Sequence, residues 1–169
     1  MNVEELLART QIMEVLWRYC RAVDRGDVEL LRSIYHDGGT DAHGSFVGTG
    51  VDFAPYIVDK MDAATIVGQH HITNALIELH GDTAAVESYF LAIQPYVSAE
   101  GTNLLGFIGG RYLDRFACLD GAWGVTERRV IMDWSRASLD GAEWPGMPGY
   151  PLGARHEVDP STGFFSNIR

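Results

Sequence analysis

Lysine is almost absent from this chain: Lys60 stands alone, and the other basic residues are arginines, scattered or paired. With 13 basic against 23 acidic residues and a formal net charge of −10, there is no clustered positive charge to meet a phosphate backbone. That argues against nucleic acid as a partner. Long apolar runs are missing too; none approaches the ~20 residues that cross a bilayer, so no membrane partner is expected. The first residues, Met1-Asn2-Val3-Glu4-Glu5, are acidic and lack the basic-then-apolar order of a secretory signal. Cytoplasm is the expected compartment. Cysteine is scarce: Cys20 and Cys118 lie far apart and match no metal-ligand spacing. In a cytosolic chain both read as small buried residues rather than a disulfide. A Gly-x-Ser-x-Gly elbow is absent, which disfavours serine hydrolase chemistry. Gly38-Gly39 and Gly109-Gly110 lack the strand–turn–helix order and the Lys of a phosphate loop.

What is present is enough for one domain. The chain has 169 residues, 46% of them hydrophobic and 21% charged, ordinary values for a globular protein with a substantial core. One stretch organises the rest: Gln69-His70-His71-Ile72-Thr73-Asn74, running on in alternation to a Gly81-Asp82 turn and restarting at Thr83. Titratable groups here enter a hairpin whose other residues read as buried strand, so a site is expected there.

Residues 4–24 read as a helix. Ile12, Val15, Leu16, Tyr19 and Val23 form one stripe, and Met13, Trp17, Cys20 and Asp24 an adjacent one that ends in a carboxylate. Gly26 breaks this helix, and Asp27 caps a second, short one over 28–35 that Asp37-Gly38-Gly39 ends. Thr40–Val47 reads as a short strand, Gly48-Thr49-Gly50 as a turn, and 51–61 as a third helix with Phe53, Ile57 and Val58 inward. Strands follow over roughly 70–79, 83–97, 104–118 and 123–134, long enough to suit a strongly curved antiparallel sheet. From Ser135 the composition changes, and Trp144-Pro145-Gly146-Met147-Pro148-Gly149-Tyr150-Pro151 cannot be helix or interior strand. Helices first and strands afterwards give an α+β class. A domain over 1–136 and an extended Pro/Gly-rich tail over 137–169, wrapping the domain or a neighbouring subunit, are expected.

Four segments carry a resemblance. They are Tyr19-Cys20-Arg21-Ala22-Val23-Asp24-Arg25-Gly26-Asp27, Asp41 to Gly48, His70-His71-Ile72-Thr73-Asn74 with Gly81-Asp82-Thr83-Ala84, and Asp120-Gly121-Ala122-Trp123 through Arg128-Arg129 to Asp133-Trp134. Together they resemble the SnoaL-like domains of the nuclear transport factor 2-like superfamily, over roughly residues 5–136. The resemblance implies a cone: three N-terminal helices packed on a strongly curved, mostly antiparallel sheet. Within the cone it implies a pocket doing proton chemistry with no metal or organic cofactor. Members include scytalone dehydratase, bile acid 7α-dehydratase, hexachlorocyclohexane dehydrochlorinase, polyketide cyclases, ketosteroid isomerase relatives, formaldehyde-releasing lyases and non-catalytic proteins. A homodimer or homotrimer is implied on the same grounds.

An imidazole is the side chain suited to removing a proton from carbon near neutral pH, and a carboxylate on its other nitrogen fixes the tautomer. In the dehydratase and dehydrochlorinase members a first-helix Asp pairs with a strand His, and Asp24 and His70 occupy the matching positions. The alternative is that Asp24 caps the turn at Gly26 and His70 is a hydrogen-bonded strand residue. His71 points to the other face if the strand is regular. Asn74 shares His70's face and is expected to orient it or bind substrate, or to serve as a turn residue. Tyr19 would donate to a substrate oxygen, as a Tyr at this spacing does in the bile acid dehydratases, or be a core aromatic. Of Arg128 and Arg129, adjacent on a strand, one should face inward and stabilise developing negative charge; Arg128 matches better. His43, with Asp41 on its face, would shape the pocket or act as the acid partner. A metal site from His43, His70, His71 and Asp41 lacks supporting spacing. Trp17, Phe46, Phe107 and Trp134 are among the aromatics expected to line a cavity for a small hydrophobic, aromatic or polycyclic substrate. The expected function is a cofactor-independent lyase, a dehydratase or related elimination enzyme with loss of formaldehyde as a variant; an isomerase or cyclase of polyketide or steroid type using the same base, or a non-catalytic ligand-binding module, are the alternatives.

Overall fold

In the computed structural model, described over residues 2–64, 67–141 and 149–164, the chain begins with a long helix, α1 (Val3–Arg25). A capping box starts it: Asn2 accepts from the Glu5 amide, and the Glu5 side chain accepts from the Asn2 amide. Gly26, in the left-handed region at φ 71°, stops it. Asp27 accepts from the Leu30 amide and opens α2 (Val28–Arg32), shorter than the expected 28–35. Thr49 caps α3 (Gly50–Ala63) through the Asp52 amide, so the expected Gly48-Thr49-Gly50 turn is instead the end of a strand and the start of this helix.

Six strands follow this order: β1 (Tyr35–His43), β2 (Phe46–Thr49), β3 (Gln69–His80), β4 (Thr83–Val97), β5 (Asn103–Leu119) and β6 (Ala122–Leu139). They lie side by side as β2-β1-β6-β5-β4-β3, antiparallel except where β1 runs parallel to β6. The sheet stays open, with β2 and β3 at its edges. Bulges between Ile72 and Ala75, Gly109 and Gly110, and Arg115 and Phe116 increase its twist, so the long strands curl around the helices as a cone. The inner face is apolar at Ile77, Ala84, Val86, Phe90, Ala92, Tyr112, Phe116 and Val125, and the α1 stripe of Ile12, Leu16, Tyr19 and Val23 packs on it.

Three further local expectations are corrected. Asp37-Gly38-Gly39 does not end a helix but lies inside β1, where the register shifts between Tyr35 and Thr40. A Cβ at Gly39 would stand 2.7 Å from the Val125 carbonyl, so the glycine allows β1 to reach the last strand. The single early strand is instead a hairpin, β1 with β2. The last strand runs to Leu139, past its expected end at 134. Of the Pro/Gly-rich segment, 142–148 lies outside the described residues. Further on, a short 3-10 turn (His156–Val158) packs near the C-terminal end of α1 and against Asp62 of α3.

Gly50 gives a first test. A Cβ there would meet the Tyr35 ring at 2.1 Å, and this ring is buried among core residues. Gly50→Ala is therefore expected to lower stability by about 1–3 kcal/mol through overpacking, measured by urea unfolding.

Candidate active site

Asp24 sits on the last turn of α1, on the buried side of the helix. Its carboxylate reaches the start of edge strand β3 and takes two hydrogen bonds from one residue. His70 Nδ1 lies 2.6 Å from Oδ1, and the His70 backbone N–H donates to Oδ2 at 2.9 Å. An edge strand leaves such amides without a strand partner. Farther along, Arg9 of α1 donates to the Ile77 carbonyl at 2.8 Å, so the helix is fastened to β3 at two points. With Nδ1 against a carboxylate, the ring proton belongs on Nδ1 and Nε2 keeps its lone pair. Among the described residues Nε2 has no hydrogen-bond partner, and the side chain is 12% exposed. The sequence alternative, Asp24 as a local cap, does not describe this carboxylate: Gly26 is capped through the Ala22 carbonyl.

A second cluster lies on the sheet. Arg128 is fully buried and bidentate on Asp114, Nε to Oδ1 at 2.8 Å and Nη2 to Oδ2 at 2.7 Å. Its guanidinium lies 4.1 Å from the Tyr19 ring centre and 4.4 Å from that of Tyr112, and these two rings meet edge to face. Burial works against its charge, but Asp114 holds the guanidinium above its ordinary pKa. Burial pushes the Tyr19 hydroxyl well up, against the pull of Arg128, so it stays a proton donor. On β1, paired in register beside Arg128, Asp41 accepts from the Tyr35 hydroxyl at 2.5 Å. His43 Nδ1 stands 3.6 Å from the other Asp41 oxygen, and the His43 ring stacks on Phe53. Cys20 links the halves: its thiol feels both Asp24 and Arg128, and burial first, then Asp24, pushes it up to about 12. It is no thiolate nucleophile.

Several polar atoms in this region are buried with no hydrogen bond among the described residues: Arg128 Nη1, Asp41 Oδ1, His43 Nδ1 and Ser88 Oγ. Burying such groups unpaired is costly, and binding sites are where proteins carry that cost.

The remaining sequence-named residues separate. Phe46 packs with Phe53 and Tyr56 beside His43. Trp17 is 54% exposed, so the second α1 stripe is buried only at Cys20 and Asp24. Asn74 leaves His70's face, because the bulge between Ile72 and Ala75 displaces it; it is exposed and accepts from the Thr73 hydroxyl. Arg129 points away from Arg128, exposed near Glu127. Trp134 is turned outward by the bulge before Gly110 and covers Gly109, and Phe107 shares the Gly109 face. His71 alternates away from His70, so those histidines do not converge on one point. Among the described residues no three His, Cys, Asp or Glu side chains form a metal cluster.

Sequence reading missed Asp114, Tyr35 and Arg155. Asp114 had a signal: it interrupts the inward row Tyr112, Asp114, Phe116, where a charge needs a partner. Arg155 had none, since its partners, two backbone carbonyls and Asp62, all lie far away in sequence.

The fold matches known structures at low identity. A scytalone dehydratase-like protein from Novosphingobium aromaticivorans is 21% identical, with 90% of this chain and 100% of that one covered and a TM-score of 0.71. A type-2 hexachlorocyclohexane dehydrochlorinase is 19% identical, covering 89% and 100%, with a TM-score of 0.74. The type-3 dehydrochlorinase of Novosphingobium barchaimii is 20% identical, covering 85% and 98%, with a TM-score of 0.72. No curated protein matches the chain in sequence. The SnoaL-like domain family matches residues 4–129, from the first helix through both arginines of the last strand, and the chain belongs to that family.

Proposed function

We propose that the chain is a cofactor-independent lyase that eliminates a small leaving group from a hydrophobic aromatic or polycyclic molecule. The observation that carries this reading is the Asp24–His70 pair, with Nδ1 committed to the carboxylate and Nε2 unspent. His70 Nε2 takes a proton from substrate carbon; the C–H electron pair becomes the new double bond, and the leaving group departs with its own bonding pair. Asp24 stabilises the imidazolium that forms. Arg128, through its unpartnered Nη1, and the Tyr19 hydroxyl are the groups suited to the negative charge that develops on the substrate. The aromatic neighbours Phe46, Phe53 and Tyr112 suit a flat substrate. The neighbouring dehydratase-like and dehydrochlorinase structures support elimination over the isomerase variant, which needs the same base.

The test is a panel of aromatic and polycyclic alcohols, hydroxyketones and chlorinated rings, followed by NMR without added cofactor. Release of water or chloride is expected, and Asp24→Asn should slow it by about 10²–10⁴-fold. Turnover equal in wild type and Asp24→Asn would overturn the dyad.

A further inference from the structure

The end of α1 is held from outside the domain core by a residue far along the chain. Arg155 is 8% exposed, and its Nη1 donates to the carbonyls of Val23 at 2.7 Å and Asp24 at 3.2 Å. These belong to the last turn of the helix, where carbonyls have no intrahelical partner. The Ala22 carbonyl is taken by the Gly26 and Asp27 amides, so Arg155 serves the next two. A cation there also meets the negative end of the helix dipole.

The guanidinium is itself fixed. Its Nε donates to Asp62 of α3 at 2.6 Å, and the other Asp62 oxygen lies 2.7 Å from His156 Nε2. Burial works against the Asp62 charge, yet these two hydrogen bonds hold its carboxyl below the usual range. Around this contact, Arg25 donates to the Ala154 carbonyl at 2.8 Å and to Asp159 at 3.2 Å. Asp159 in turn accepts from the Ala154 and Ser161 amides. The last turn of α1 is thus gripped through side chains and backbone together.

Asp24 is therefore held at both ends, its carboxylate by His70 and its carbonyl by Arg155. We propose that Arg155 is a positioning residue for the Asp24–His70 pair, acting as the C-terminal cap that sets the direction of the Asp24 side chain. This rests on the reading of that pair as the catalytic base. Helix ends fray unless tied, and a carboxylate on a frayed turn cannot hold an imidazole at one distance. A misplacement of about 1 Å at a catalytic group costs on the order of 10² in rate.

The test needs no substrate. In the full chain labelled with 15N-histidine, wild type should show a low-field His70 Nδ1 proton protected from exchange. Arg155→Met should speed that exchange about tenfold or more, equivalent to ~1.4 kcal/mol, while circular dichroism and amide protection in β4–β6 stay unchanged. Arg155→Lys, which restores a donor to the carbonyls, should recover part of the protection. Should Arg155→Met fail to fold, Asp62→Asn loosens the guanidinium without emptying its site and should shift exchange in the same direction. A merely stabilising contact would lower the melting point and leave this proton alone. An unchanged His70 proton in either folded variant overturns the positioning role and leaves the base intact. A wild-type spectrum without such a proton overturns the pair, and the proposal with it.

Discussion

His70→Ala is expected to lower kcat/KM by about 10³-fold, within the 10²–10⁴ that a positioned general base contributes. That corresponds to ~4 kcal/mol of transition-state stabilisation. The same substitution should change stability little, and the geometry says why. Asp24 keeps the His70 backbone N–H on Oδ2, because this donor belongs to the strand and not to the ring. Oδ1 loses its partner but gains the space the ring vacates, near a surface where water can enter. Loss of turnover with a melting point close to wild type would place the effect on chemistry. Undiminished turnover would remove His70 as the base.

The second large effect falls on stability. Arg128→Met leaves the Asp114 carboxylate buried and uncompensated, and breaking a buried pair in this way costs about 3–5 kcal/mol. Two aromatic faces, Tyr19 and Tyr112, lose their cation as well. Arg128→Met with Asp114→Leu should recover most of the loss, because the pair is then removed as a whole and Asp114 no longer stands unpaired. Urea unfolding of the two single variants and the double variant forms the cycle that checks it.

The pH dependence has a definite sign. Burial raises the Asp114 carboxyl even while Arg128 opposes it, so removing Arg128 raises it further. A carboxyl with a raised folded pKa binds more protons folded than unfolded, and stability then falls as pH rises from the unfolded value. The Arg128→Met deficit should accordingly be greatest at neutral pH and shrink towards pH ~4. A deficit independent of pH would mean that Asp114 is not the group left unpaired.

Much of this molecule is written locally. The Asn2–Glu5 box, the Gly26 stop and the Asp27 cap each depend on residues within one helical turn, and α1 and the start of α2 follow from them. Strict alternation places His70 inward and His71 outward, and it separates Arg128 from Arg129 in the same way. The position of Asp24 at the end of the α1 apolar face is legible by helical spacing alone.

Tertiary structure decided the rest. One extra residue in β3 carries Asn74 off the face it would share with His70, and another in β6 sends Trp134 to the outside. A bulge is a property of two paired strands and leaves little mark on either sequence. Parallel pairing of β1 with β6 sets Asp41 beside Arg128, although 87 residues of chain separate them. The Arg128–Asp114 pair and the Arg155 cap arise the same way, from groups brought together only when distant segments pack. Local energetics therefore determined the helices, the turns and the inward His70. Long-range register and burial determined the Arg128–Asp114 pair, the place of Asp41 beside it and the Arg155 cap.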